Sequence, residues 1–474
     1  MSFYRRDALL PHRFRLVLLS FLQRDSLPFA NVLDEEQIQQ VFDEQQVSFA
    51  QDEDAVYTPP ITLWAFLSQV LCKDEQRSCA AAVARVITLL VVLGKKPCAE
   101  DTGAYCRARA KLPEPVLERL TCQAADDSEA QLPRRWLWRG RHVKLVDGTT
   151  VSMPDTPENQ AAYPQPKTQQ EGIGFPIARI VVLLSLATAM TCGMAIGPYR
   201  GKETGESALL RQLFGQLARG DILLADRYYC SYFMIALLQE MGVDFVVRLH
   251  QLRKADFRRG HRLGRGDQVV DWMRPIKPAW MDQDTYQRMP ESIEVRQVQV
   301  RVEQPGFRAE SLVVVTTLTE EKKYPKEDIA ELYHQRWLAE LDVRAIKCSL
   351  GMDVLRCKTP EMVRREIWTC LLAYNLIRRT MLQAASESGL SPRQLSFTAA
   401  MQKIAACWLA VLLLNEEPAA TLIDTHLTGL LTHRIGHRPD RVEPRAVKRR
   451  PKSHRLLTQP RGQARAKLLA GESP

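Results

Sequence analysis

The sequence has few of the residues that build covalently or zinc-stapled folds. Its eleven cysteines are scattered from Cys72 to Cys407, none forms a C-x-x-C pair, and the count is odd. A disulfide framework or structural zinc site is therefore not expected, and reduced thiols in a cytosol are. Histidine is scarce, with nine residues. Acids are outnumbered, 55 Asp and Glu against 65 Lys and Arg, which gives a net charge of +10 and a pI near 9.1. An excess of this size suits a polyanionic partner, either nucleic acid or an anionic membrane.

Long uncharged runs are also rare. Ile180 to Gly197 carries no charge over 18 residues, the lower limit for a membrane span. It opens with β-branched Ile180-Val181-Val182 and is interrupted by Ser, Thr and Gly, so two buried strands joined by a turn account for it better. Arg5-Arg6 followed by Leu16 to Leu22 imitates a signal peptide. Arg13 and Arg15 crowd its short apolar core and no small-residue cleavage site follows, so an amphipathic first helix is expected instead. These readings favour a cytoplasmic protein with no membrane partner.

What is present is a chain of 474 residues, 45% hydrophobic, long enough for two or three domains. Residues 1–133 read as helical. Asp34 is placed to cap Glu35 to Phe42, Thr58-Pro59-Pro60 to open a helix to Cys72, and Ser78 to Leu93 is an apolar helix. Near Arg134 the pattern changes to α/β. His142 to Asp147 alternates like a strand that stops at an Asp-Gly turn, Gly205-Glu206-Ser207 precedes a helix to about Ala218, Gly220 to Asp226 is a short apolar strand, and Val243 to Leu249 is another. Residues from about 251 to 318 break that rhythm with basic clusters, prolines and alternating strands, which marks a β-rich insertion in a catalytic domain of residues 134–385. Helices follow over 386–433. From Arg434 to Lys467 there are twelve Lys or Arg and two acids, so residues 434–474 form a basic tail unable to bury a core and expected to be disordered.

Asp147 and Asp226 each follow a short apolar strand, and side chains at the ends of neighbouring strands converge above a sheet. A helical glutamate, Glu340, is placed to complete a three-carboxylate site. Oxygen ligands without His or Cys suit Mg²⁺ or Mn²⁺. Two such ions about 4 Å apart serve in-line phosphoryl displacement. Singly, Asp147 also reads as a turn former, and Asp226 as a helix cap or a partner of Arg227. Around Glu340 the spacing Tyr333, Arg336, Glu340, Lys347 would form one stripe on a continuous helix, with phosphate-holding groups about a single carboxylate. A solvated face with an ordinary i,i+4 ion pair has the same spacing.

With Val146-Asp147-Gly148-Thr149-Thr150, Ala225-Asp226-Arg227-Tyr228-Tyr229 and Tyr333 through Lys347 in this order, the chain resembles a DDE-type insertion-sequence transposase of the cut-and-paste branch that carries a Tyr-Arg-Glu-Lys signature. Leu355 to Pro360, Tyr374 to Arg378 and Tyr105 to Pro113 resemble that branch too, so the resemblance spans about Gly103 to Arg379. It implies a ribonuclease H-like core, a mixed sheet flanked by helices, with a β insertion between the second Asp and the Glu. It implies an N-terminal helical domain that binds the terminal inverted repeats of the element. It carries the catalytic and metal-ligand role to Asp147, Asp226 and Glu340, with two Mg²⁺ or Mn²⁺ ions. It carries contact with DNA-end phosphates to Tyr333, Arg336 and Lys347. Trp337 and Arg227, adjacent to the matched motifs, join the DNA-facing set. Trp337 is a candidate for stacking a flipped base, its other reading being a core aromatic. Strand Ser311 to Leu318 offers no tryptophan for that role. The implied partners are double-stranded DNA, as element ends and target, and a second copy of the chain when assembled on DNA; the implied location is the bacterial cytoplasm, at the nucleoid. The rival readings are a ribonuclease H-like nuclease that never rejoins ends and a catalytically silent, element-derived DNA-binding protein.

The tail gives the first test. Added salt should weaken DNA binding steeply, and a chain ending at Arg434 should show a flatter dependence of log affinity on log salt. An unchanged slope in a filter-binding titration would leave the tail without a part in binding.

Overall fold

The computed structural model describes residues 12–52, 54–301, 311–386, 388–435 and 457–471. Three of the helices before residue 131 begin at a side-chain cap or a first-turn proline. Asp34 accepts the Gln37 N–H at 2.9 Å while the Gln37 side chain accepts the Asp34 N–H at 2.8 Å, closing a capping box on helix Glu35–Glu44. Pro59 and Pro60 occupy the first turn of Pro59–Leu71, where a missing N–H costs nothing. Ser78 caps Cys79–Val92, and Glu114–Ala130 follows. Apolar residues of these helices, among them Trp64, Leu67, Leu117 and Leu120, share one core with Leu145 and Ile180 of the sheet and with the long helix Pro360–Ser386.

Nine strands form one sheet: β1 Val143–Ser152, β2 Ile177–Ser185, β3 Thr191–Pro198, β4 Ile222–Ala225, β5 Asp244–Arg248, β6 His261–Gly264, β7 Asp267–Met273, β8 Ser292–Arg301 and β9 Ser311–Thr316. Their spatial order is β3-β2-β1-β4-β5-β9-β8-β7-β6. β3, β2 and β1 are antiparallel neighbours, whereas β1–β4 and β4–β5 are parallel. That order and direction make the ribonuclease H-like core that the sequence implies. The inserted strands β6, β7 and β8 extend this same sheet through β9, which pairs antiparallel with both β5 and β8. Successive residues of a strand face opposite sides. Leu145 and Leu224 lie in the core beneath the long helix, and Val146, Leu223 and Ala225 in a second core on the other face. Burial on both faces is why these strands read as unbroken apolar runs.

Four expectations need correction. β1 does not stop at Asp147-Gly148; it continues to Ser152 because β2 keeps pairing with it, Asp147 opposite Val182 and Gly148 opposite Val181. The helix from Glu206 ends at Gln212, and a 3-10 turn, Phe214–Gln216, carries the chain on. The signature does not lie on one continuous helix. Lys326–His334 ends, Trp337–Arg344 starts after Arg336, and Ala345–Ser349 is a π-helical turn. The tail is not without structure throughout, since Arg461–Leu469 is helical. Residues 436–456 of it lie outside the described residues, as does the Arg5-Arg6 pair. Among the described residues no helix is long and apolar enough to cross a membrane.

One buried ionic cluster holds the Trp337–Arg344 helix in place. The Asp342 carboxylate, 2% exposed, accepts from Arg378 and from Arg393, each at 2.8 Å. Arg393 also donates to the Ser185 carbonyl at the end of β2. Removing the carboxylate would leave the buried Arg378 and the part-buried Arg393 without their charge partner. We expect Asp342→Ala to lose about 3–5 kcal/mol of stability in denaturant unfolding. A loss under about 1 kcal/mol, the value of an exposed pair, would refute the anchoring role.

Candidate active site

Asp147 and Asp226 come together because β1 and β4 are parallel neighbours and both residues follow the last register pair, Leu145 with Leu224. β4 ends at Ala225 while β1 runs on, so the β4 side of β1 is open beside Asp147. Asp147 shares the strand side of Leu145, the side where Ala339 and Val343 pack the Glu340 helix against the sheet. Its Oδ1 accepts the Gly148 N–H at 2.9 Å. Burial, helped by the Glu340 and Glu206 charges, pushes Asp147 up to about 6 against the pull of the Gly148 N–H and of the Arg336 charge. Asp226 Oδ1 accepts the Arg227 N–H at 2.6 Å and so caps the 3-10 turn Arg227–Tyr229. The capping role foreseen for Asp226 alone is thus real and occupies only one of its oxygens.

Arg336 is the hub. Its Nη2 donates to Glu340 Oε1 at 2.7 Å. Burial works against its charge, and the Glu340 bond with the nearby Tyr333 and Asp226 more than offsets this. Tyr333 is buried, which drives its phenol well above the usual range, with Arg336, Asp226 and Arg248 acting on it. Its ring is part of the core and only its hydroxyl end meets this cluster. Lys347 sits half-buried in the π-helical turn, off the stripe a regular helix would give. Trp337 is 51% exposed at the start of the Glu340 helix, so the core reading of this ring fails. Arg227 lies with its guanidinium carbon 5.6 Å from the centre of the exposed Tyr228 ring.

The sequence reading missed Glu206, Tyr229 and Arg248, whose charges or hydroxyl act on this cluster. Glu206 had a signal, an acid opening a helix after β3, but first-turn acids are common and the reading stops there.

Among the described residues no three Asp, Glu, His or Cys side chains are already gathered around one point as a metal site, and the Glu340 carboxylate is turned onto Arg336. The donor chemistry nonetheless fits a hard divalent cation, with hard carboxylate oxygens and an Asp147 whose burial leaves its charge poorly compensated.

With this arrangement in view, the family comparison is direct. The family model described as "Transposase DDE domain" matches residues 138–376, half of the chain and all of the acids above, and the chain belongs to that family. It is a transposase. Transposase InsG for insertion sequence element IS4 of Escherichia coli strain K12 is 27% identical over 362 residues, covering 74% of this chain and 77% of that protein. The putative transposase InsZ of the same organism is 26% identical over 143 residues, covering 30% of this chain and 47% of its own. A cryo-EM structure of the piggyBac transposase synaptic complex with hairpin DNA superposes with a TM-score of 0.42 at 10% identity, over 87% of this chain and 84% of that one.

The raised position of Asp147 fixes a pH dependence. A carboxyl whose folded value lies above its ordinary 3.8 contributes stability that is full below about pH 4 and lost as pH rises through about 6. In metal-free buffer Asp147→Asn, which cannot ionise, should therefore melt above wild type at pH 8, and the gap should close by pH 4. Identical melting curves at pH 8 would show that Asp147 ionises in the fold without cost.

Proposed function

We propose that this transposase cuts and joins DNA at the ends of its element through Asp147, Asp226 and Glu340. The observation that carries the reading is the approach of the Glu340 helix to the open end of β1, so that Glu340 acts on Asp147 while Glu340 and Asp226 both act on Arg336. The three acids would hold Mg²⁺ or Mn²⁺, two ions per site. Bound there, the ions would supply charge neutralisation and an activated nucleophile for in-line displacement at phosphorus.

The chain's own residues do the rest. Arg336 can grip two phosphate oxygens in a fork, whereas Lys347 acts as a point charge. A phosphate that takes Arg336 releases Glu340 toward the aspartates. The Tyr333 hydroxyl adds a short, fixed donor, because its buried ring cannot swing away. Placement matters because in-line attack needs the phosphate oriented before the bond breaks. Trp337, exposed one residue after Arg336, would stack on an unpaired base, and Arg227 would meet the backbone beside Asp226. Water first hydrolyses one strand at the element end; the freed 3′-OH then attacks the opposite strand or, after excision, the target. A homodimer on two DNA ends fits this sequence of cuts, with the helices of residues 1–133 reading the inverted repeats and the basic tail holding backbone.

The test is an assay on oligonucleotides bearing the element ends, in Mg²⁺. Wild type should yield cleaved and joined strands, and Asp226→Asn should fall to the metal-free background. Equal activity in both rejects the assignment. Cleavage without any joined product would favour a nuclease that never rejoins ends.

A further inference from the structure

The turn that carries Lys347 is irregular, and what holds it comes from far back in the chain. Ala345–Ser349 is π-helical, and the Leu350 N–H closes on the Ala345 carbonyl at 3.2 Å. Such turns are rare and occur frequently at functional sites. A helix end leaves carbonyls with no partner inside the helix. Here the segment between helices Pro59–Leu71 and Cys79–Val92 takes three of them. Lys73 Nζ donates to the Cys348 carbonyl at 2.7 Å. Arg77 Nη1 donates to the Leu350 carbonyl at 2.6 Å and to the Gly351 carbonyl at 2.8 Å. Gly351 has a φ of +66°, and a Cβ there would stand 3.0 Å from that same nitrogen.

Arg77 is itself held on both sides. It is 3% exposed, and its Nη2 donates to Glu366 of the long helix at 3.0 Å. The other Glu366 oxygen accepts the Arg356 and Cys357 N–H groups, at 2.9 and 3.0 Å. The Arg77 carbonyl accepts Gln69 Nε2 at 2.9 Å, and Gln69 Oε1 accepts from Tyr105 and Arg109 at 2.8 and 3.0 Å. A continuous run of hydrogen bonds thus joins the Gly103–Arg109 helix to the turn bearing Lys347. None of these bonds reaches the Lys347 side chain; they fix the backbone that presents it. Among the described residues no acid pairs with the Lys347 ammonium.

Resting on the function proposed above, we propose that Arg77 and Lys73 are positioning residues: from the N-terminal helices they pin the carbonyl end of the π-helical turn and so set where Lys347 meets the DNA-end phosphate. The helical region before the sheet then takes part in strand cleavage and not in DNA binding alone. A point charge has no fork to correct its aim, so its effect depends on the backbone that carries it.

The experiment follows single-turnover cleavage of an element-end oligonucleotide by the full chain in Mg²⁺, at saturating enzyme, with melting temperatures alongside. Lys73 is exposed, so Lys73→Ala should melt near wild type. Lys73→Ala should lower the cleavage rate constant about 3-fold, and Arg77→Lys, which keeps the charge and loses the fork, about 10-fold or more, with affinity for the end little changed. A merely structural role would lower the fraction cleaved and leave the rate constant alone. In a Lys347→Ala background, Lys73→Ala should cost nothing further, because contacts that act through one group do not add. An equal loss in both backgrounds would overturn the proposal, as would a wild-type rate in Lys73→Ala. A wild-type rate in Lys347→Ala would reject Lys347 as the phosphate contact, and this inference with it, while leaving the carboxylate reading intact. Where Arg77→Lys fails to fold or Lys347→Ala is too slow to follow, a second readout decides. Cys348 is exposed in the same turn, and its labelling by a maleimide without DNA is read by mass spectrometry. Labelling should quicken in Lys73→Ala, and an unchanged rate would overturn the proposal.

Discussion

The carboxylate of Asp342 is the contact on which the geometry of the site depends. The helix that carries Glu340 has eight residues, Trp337–Arg344, too few to be stable in isolation. Its position is therefore imposed from outside. Two residues along a helix amount to a rotation of about 200°. Asp342 thus points into the protein when Glu340 points toward β1. Arg378 comes from the long helix and Arg393 from the segment after it, and Arg393 is itself bonded to the end of β2. A buried cluster of this kind contributes little net stability compared with a well-packed apolar one, since each charge has lost its water. Its effect here is to fix direction, because a carboxylate shared between two guanidinium groups tolerates little rotation of the helix that bears it.

The second constraint is the unequal length of two paired strands. β4 has four residues and is buried on both faces, so it must stop where the apolar run stops. β1 continues because β2 supports it on its other side. The step between them exposes the flank of β1 at Asp147 and places Asp226 at the mouth of the gap. Groups can enter that gap from both faces of the sheet, Glu340 and Arg336 from one and Glu206 with Tyr229 from the other. A β4 extended by two residues would fill the gap with backbone hydrogen bonds and leave no room for a phosphate.

Much of this was legible in the sequence, for physical reasons. A strand covered on both faces must be an unbroken apolar run, and Asp226 follows the end of β4 by that logic; Asp147 ends the apolar run of β1 but not the strand, which β2 carries on to Ser152. Glu340 was legible from its company, Arg336 and Tyr333. What failed was the assumption of one regular helix from Tyr333 to Lys347. Local spacing does not reveal that the helix breaks before Trp337 or takes a π-helical turn at Ala345–Ser349. Glu206 was invisible for a different reason. Its meaning resides in Gly148, 58 positions earlier, and a glycine in a strand does not announce which side chain occupies the space it leaves.

The contact between Arg336 and Glu340 joins the modest reading of this segment to the functional one. An i,i+4 ion pair is what any exposed helix would form, and it is formed here. On an open surface such a pair is worth little and means little. Here the same guanidinium also feels Asp226 and Tyr333, and the same carboxylate bears on Asp147. The pair keeps a basic group and an acidic group neutralised, and Arg248 adds a further positive charge that acts on Tyr333. A DNA phosphate brings the anion that Arg336 prefers, by geometry and by charge, to a single carboxylate oxygen. On the proposed function its departure would free Glu340 toward Asp147, and a cation held between them would offset their repulsion. The proposed site would then be completed by its substrate, which would tie the proposed hydrolytic chemistry to the presence of a DNA end.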